Sequence, residues 1–176
     1  MQKHKDENRA GAGGVFHAKC FDKDGNLKWE AVSHNLVVNV GLQDMNAKYF
    51  TGSGYTAAWY IGLYGAGATN NPAASDTMSS HAGWTENTTY SNANRPTCTF
   101  GTPTTADPSV ATNSASPATF NINGSTTIGG AFLTTSNTKG GTTGTLFSAA
   151  DFSTGDRAVI SGDTLTVTYT FSLDAV

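Results

Sequence analysis

From Leu165 to Leu173 the chain sets Leu165, Val167, Tyr169, Phe171 and Leu173 on alternate positions and fills every position between them with Thr or Ser. Only a β-strand sorts such residues onto two faces, one buried and one wetted; a helix would scatter them around its circumference. Much of the remaining sequence follows the same rule. Residues 15–21 and 27–32 read as two strands joined by Asp22-Lys-Asp-Gly-Asn, a turn in which Gly25 supplies a positive φ. Further strands are expected at 55–64, around 84–86, and at 95–100, 118–122, 126–135, 145–150, 158–160 and 165–173. Asn123-Gly124, a strong two-residue turn signal, predicts a hairpin between the strands on either side of it.

One stretch departs from this pattern. Val40, Leu42, Met45, Tyr49 and Phe50 fit a helical stripe, with Asn39 placed to cap its start and Gly52 just beyond its end. This helix is expected to plug one end or edge of a sheet. Residues 65–83, 101–117 and 136–144 are rich in Gly, Ala, Pro, Thr, Ser and Asn and read as loops, the last without an apolar anchor. A chain of 176 residues is long enough for one sizeable core. The expected fold is therefore a single all-β domain over 14–176, a two-layer β-sandwich or jelly-roll-like barrel with one short helix. Residues 1–13 mix charge with Gly and Ala and show no apolar period, so they read as a flexible N-terminal arm that orders against a partner.

Composition narrows the functional classes. Only 13% of residues are charged, against about a quarter in an average domain. The first 50 residues hold 13 of the 23 charged side chains and no Thr, while the other 126 hold all 27 Thr. A formal charge of -3 gives no electrostatic reason to attract nucleic acid or an anionic membrane. With no long apolar run and no apolar core near Met1, the chain is expected to be soluble and not exported by a signal peptide. Cys20 and Cys98 are then expected to be reduced core thiols.

No constellation for chemistry emerges. Asp22, Asp24 and Asn26 imitate the opening of a calcium loop, but Leu27 stands where that loop needs Gly and Ser33 where it needs a bidentate Glu. His4, His17, His34 and His81 lack zinc spacing, and the two cysteines form no Cys-x-x-Cys pair. No Gly-x-Ser-x-Gly elbow frames a nucleophile. Glu86 and Asp76 near Trp84 are the one place for glycosidase-type carboxylates, although Trp84, Trp59 and Trp29 are more simply core or interface aromatics. Gly11-Ala-Gly-Gly and Gly140-Gly-Thr-Thr-Gly have no phosphate-loop context. No catalytic residue, metal or cofactor is assigned.

Several segments carry a resemblance: Gly25-Asn-Leu-Lys-Trp-Glu, His34-Asn-Leu-Val-Val-Asn-Val-Gly-Leu, Thr56-Ala-Ala-Trp-Tyr-Ile-Gly-Leu-Tyr, Gly83-Trp-Thr-Glu and Ser91-Asn-Ala-Asn-Arg-Pro. Ile128-Gly-Gly-Ala-Phe-Leu-Thr-Thr-Ser, Lys139-Gly-Gly-Thr-Thr-Gly-Thr-Leu-Phe and Ser161-Gly-Asp-Thr-Leu-Thr-Val-Thr-Tyr-Thr-Phe extend it, so that it spans roughly residues 14–173. Together they resemble a family of small structural proteins of tailed-bacteriophage virions. The resemblance implies a non-enzymatic head decoration or cement protein, assembled in the host bacterial cytoplasm. Its partners would be the major capsid protein and further copies of itself, as a dimer or trimer. Lys3, Lys5, Arg9 and Phe16 are the candidate contact residues. The alternative is a tail, fibre or head-fibre component, including a carbohydrate-binding module with Trp84, Asn87 and Tyr90 as the sugar contacts.

Overall fold

The computed structural model describes residues 10–55, 57–66 and 72–175. Among these the strands are β1 (Ala10–Phe21), β2 (Leu27–His34), β3 (Leu36–Val37), β4 (Tyr60–Gly65), β5 (Glu86–Asn87), β6 (Ser109–Thr112), β7 (Ala118–Asn121), β8 (Thr126–Thr134), β9 (Leu146–Asp151), β10 (Arg157–Val159) and β11 (Thr164–Ala175). One helix, α1 (Asn39–Phe50), accompanies them. The strands form two antiparallel sheets packed as a sandwich. In the first the order is β2-β1-β11-β6, and β7 also pairs with β11, below β6 on the same edge. In the second the order is β3-β9-β8-β4-β5, with β10 sharing one edge of β8 with β9.

The alternation in β11 does what its pattern requires. Leu165, Val167 and Tyr169 are fully buried between the sheets beside Phe16, Ala18 and Cys20 of β1. Toward its end the burial relaxes, and Leu173 is exposed. The predicted β1–β2 hairpin forms in register Val15↔His34 to Cys20↔Trp29. Its turn is held by Asp22 Oδ1, which accepts the N–H groups of Asp24 and Asn26 at 2.9 Å each, with Gly25 at φ +83.

The second sheet is buried on both faces, so β4, β8 and β9 show nearly continuous burial rather than alternation. Ile61, Leu63, Ile128 and Leu133 face the first sheet, while Tyr64, Phe132 and Ala149 pack on the outer side with Val38, Met78 and Trp84. Trp84 lies with its ring centre 5.1 Å from both Tyr64 and Phe132, and its Nε1 donates to Asp76 at 2.9 Å. The rings of Phe132 and Tyr64 cover the glycines opposite them, Gly62 and Gly130; a Cβ on either glycine would lie within 2.3 Å of the facing ring.

Several expectations are corrected. Ala10 to Gly13 belong to β1 and pair with β11, so the arm does not extend to residue 13; residues 1–9 lie outside the described residues. The strand expected at 55–64 begins only at Tyr60, and the one expected at 95–100 is reduced to a single bridge, Thr97↔Tyr60. Asn123-Gly124 closes no hairpin: β7 pairs with β11 in the first sheet, while β8 lies in the second. The two-residue turn favoured by Asn-Gly needs positive φ at both central residues, and neither Asn123 nor Gly124 adopts it. The pair instead carries the chain from one layer to the other.

The helix forms where expected, with Gly52 at φ +67 just beyond it. Asn39, however, is its first residue and not its cap; Val38 occupies that position and makes no side-chain cap bond. The helix is held instead by its backbone, since Asn39 N–H donates to Ala74 at 2.8 Å. Gly41 lies so close to β9 that a Cβ there would come within 2.4 Å of the Phe147 carbonyl oxygen.

Candidate functional site

The two sheets do not close on each other at the end where α1 lies. Between them opens a recess of about 510 Å³, walled mainly by Met45 of α1, Trp59, Phe100, Phe147 and the β11 residues Tyr169 and Phe171. Its shape follows from edge-to-face aromatic packing: Trp59 on Phe147 at 5.2 Å, Phe147 on Phe171 at 5.5 Å and Phe100 on Tyr169 at 5.9 Å. The segment after α1 forms one rim. There Trp59 Nε1 donates to the Tyr55 hydroxyl at 3.0 Å, and the Lys48 ammonium sits 5.5 Å above the Tyr55 ring.

Tyr49 is one turn beyond Met45 on the same helical stripe, and it stands clear of the protein at 84% exposure. Phe50, packed edge-on against it at 4.9 Å, is 76% exposed. Both rings belong to the helical stripe read from the sequence. Gly41 brings α1 against the sheet, Val40 and Met45 pack on the core, and Leu42, Tyr49 and Phe50 of the same stripe are left exposed.

The recess is chemically quiet. Among the described residues no Asp, Glu, His, Lys or Arg lines it. Burial pushes the Cys98 thiol up to about 12, so it stays protonated at neutral pH. Burial likewise raises the Tyr169 phenol, whose oxygen accepts from Asn35 Nδ2 at 2.7 Å and Ser148 Oγ at 3.2 Å. Such walls can exclude water and hold an apolar group; they offer no acid, base or ionised nucleophile to a substrate.

The residues singled out in the sequence are dispersed by the fold. Lys3, Lys5 and Arg9 lie outside the described residues. Phe16 is 0% exposed and packs on Tyr169 at 4.6 Å, which removes it from any contact surface. Trp84 and Tyr90 are 4% and 1% exposed, so neither presents a sugar-stacking face. Asn87, half-buried, is spent internally: its Nδ2 donates to Thr126 Oγ1 at 2.9 Å and its Oδ1 accepts from Thr89 N–H at 3.0 Å. Asp76 is engaged by Trp84, and Glu86 accepts two bonds from Arg95, at 2.9 and 2.7 Å, and one from Gly140 N–H at 2.8 Å. Neither carboxylate is open to solvent chemistry. In the turn, the bonds from Asn26 hold the Asp22 carboxyl below its ordinary range. Cys20, pushed up to about 12 first by burial and then by Asp163, is equally unreactive. Among the described residues no three His, Cys, Asp or Glu side chains converge on a common point.

Fold and site together define a two-sheet antiparallel β-sandwich with an uncharged aromatic recess at one end and two projecting rings beside it. No family model, no curated protein and no solved structure matches the chain.

Proposed function

We propose that this chain is a non-enzymatic structural protein of a tailed-bacteriophage virion, a head decoration or cement protein that binds the major capsid protein in many copies. The observation that carries the reading is the exposed Tyr49–Phe50 pair beside an apolar recess, a surface suited to contact with protein and unsuited to turnover. Two sequence features support it. The chain resembles small virion proteins along most of its length, and its low charge limits repulsion between neighbouring copies. A repeating shell also makes modest single contacts sufficient, because many act together.

The test is the copy number of the chain in purified virions, by quantitative mass spectrometry with the major capsid protein as internal standard. About one copy per capsid subunit, or a fixed large fraction of that, is the expected result. A few copies per hundred subunits would move the protein to the tail or a fibre, and absence from particles would overturn the virion reading.

A further inference from the structure

We infer that the recess end is a self-association surface, on which the Tyr49 and Phe50 rings of one copy enter the recess of a second copy and receive that copy's rings in return. The inference deepens the contact-surface reading above and rests on it, but it names the partner as this same chain.

Three observations lead there. First, projection and recess lie side by side on one face, because Met45 lines the recess and Tyr49 follows it by one helical turn. A two-fold axis between them places each projection over the other copy's recess, as an isologous interface requires. Secondly, the exposed apolar area is a substantial part of what a dimer needs. At exposures of 84%, 76% and 51%, Tyr49, Phe50 and Tyr55 offer about 400 Å² per copy, taking roughly 200 Å² for a fully buried aromatic. That is about half of the ~800 Å² each partner contributes to a standard interface. The recess walls, with Leu42 and Leu173 also exposed, supply further apolar area. Thirdly, little charge opposes closure. Lys48, a cation next to the rim, is already paired with Asp44 at 3.2 Å, and no charged side chain among the described residues lines the recess.

The experiment uses the purified full chain in analytical ultracentrifugation across a concentration series, with native mass spectrometry alongside. A monomer–dimer equilibrium is expected. Replacing the projection, Tyr49→Ser with Phe50→Ser, should weaken the dimer at least tenfold, since rings at the centre of an interface carry most of its strength. Both positions are exposed, so the far-ultraviolet circular dichroism and the melting of the diluted monomer should be unchanged. Ala57→Trp leaves the projection intact and fills the recess mouth, and it should weaken the dimer by a similar factor. A chain that is monomeric throughout overturns the inference. So does a trimer or larger closed ring, a dimer that either substitution leaves intact, or a monomer that retains an apolar small molecule in the recess. Because this measurement needs no virion, a monomeric result leaves the copy-number test of the shell assignment standing, and the reverse also holds.

Discussion

Arg95 is the largest fully buried side chain among the described residues, and its position is unusual for a permanently charged group. It survives burial because each of its three nitrogens has a hydrogen-bond partner and its charge is paired. Nε and Nη2 bond the two carboxylate oxygens of Glu86, Nη1 donates to the Ser136 carbonyl at 2.9 Å, and Nη2 also reaches Gly141 at 2.8 Å. Its guanidinium lies 5.2 Å from the centre of the Phe132 ring. This pair explains how the 136–144 loop is fixed without an apolar anchor: its backbone carbonyls are ligands of a buried cation. Lys139 returns the bond by donating to the carbonyls of Tyr90 and Asn92 at 2.9 and 2.8 Å. Removing one partner should leave the other charge buried and unanswered. Arg95→Met is expected to cost about 3–5 kcal/mol in urea unfolding, and adding Glu86→Leu should recover a large part of the loss. A single substitution that costs less than about 1 kcal/mol would show that the pair is not holding the loop.

At the scale of elements, α1 shows how a helix can be placed by one missing side chain. Ala is a better helix former than Gly by about 1 kcal/mol, so propensity alone predicts that Gly41→Ala stabilises the protein. The close approach to Phe147 predicts the opposite, because the new methyl must push the helix away from β9. The net effect expected is a loss of about 1–3 kcal/mol, read as a lower thermal midpoint. Most elements were legible in the sequence. The hairpin at Asp22–Asn26, the strands at β8, β9 and β11, and the helix with Gly52 beyond it all follow from period and turn chemistry. What failed did so for tertiary reasons. Asn123-Gly124 carries a hairpin signal, yet Ile122 is drawn elsewhere, bonding Asp163 and Gly162 through its backbone at 2.9 Å each. Tyr49 and Phe50 belong to a stripe that a sequence reads as core, but the helix packs through Gly41 and Met45 and leaves Leu42, Tyr49 and Phe50 exposed.

For the whole molecule, burial makes stability depend on alkaline pH. Both thiols have an ordinary value of 9.0 and are held near 12 in the folded chain. Below pH 9 they are protonated folded or unfolded and contribute nothing. Above it the unfolded chain releases protons that the folded chain keeps, so stability falls as pH rises from 9 toward 12, by about 1.4 kcal/mol per thiol at pH 10. Tyr64, Tyr90 and Tyr169, all raised first by burial, add to the loss once the pH passes 10. Urea midpoints measured under reducing conditions should therefore drop between pH 8 and pH 10, and a flat profile would contradict the burial of the thiols. The recess itself was not legible in the sequence, because its wall is assembled from α1, the segment around Trp59, the segment around Phe100, β9 and β11. Each residue there looks like ordinary core until the layers are seen to part.

The place of β11 has one more implication, for how the chain is made. This strand sits between β1 on one side and β6 with β7 on the other, and it matches Ala10 to Ala175 across nearly the full length of the sequence. On a ribosome, the first hairpin emerges early and then waits with an open edge while all the other described strands are synthesised. The first layer closes only when the last of them arrives, so its completion depends on a meeting of segments far apart in the sequence.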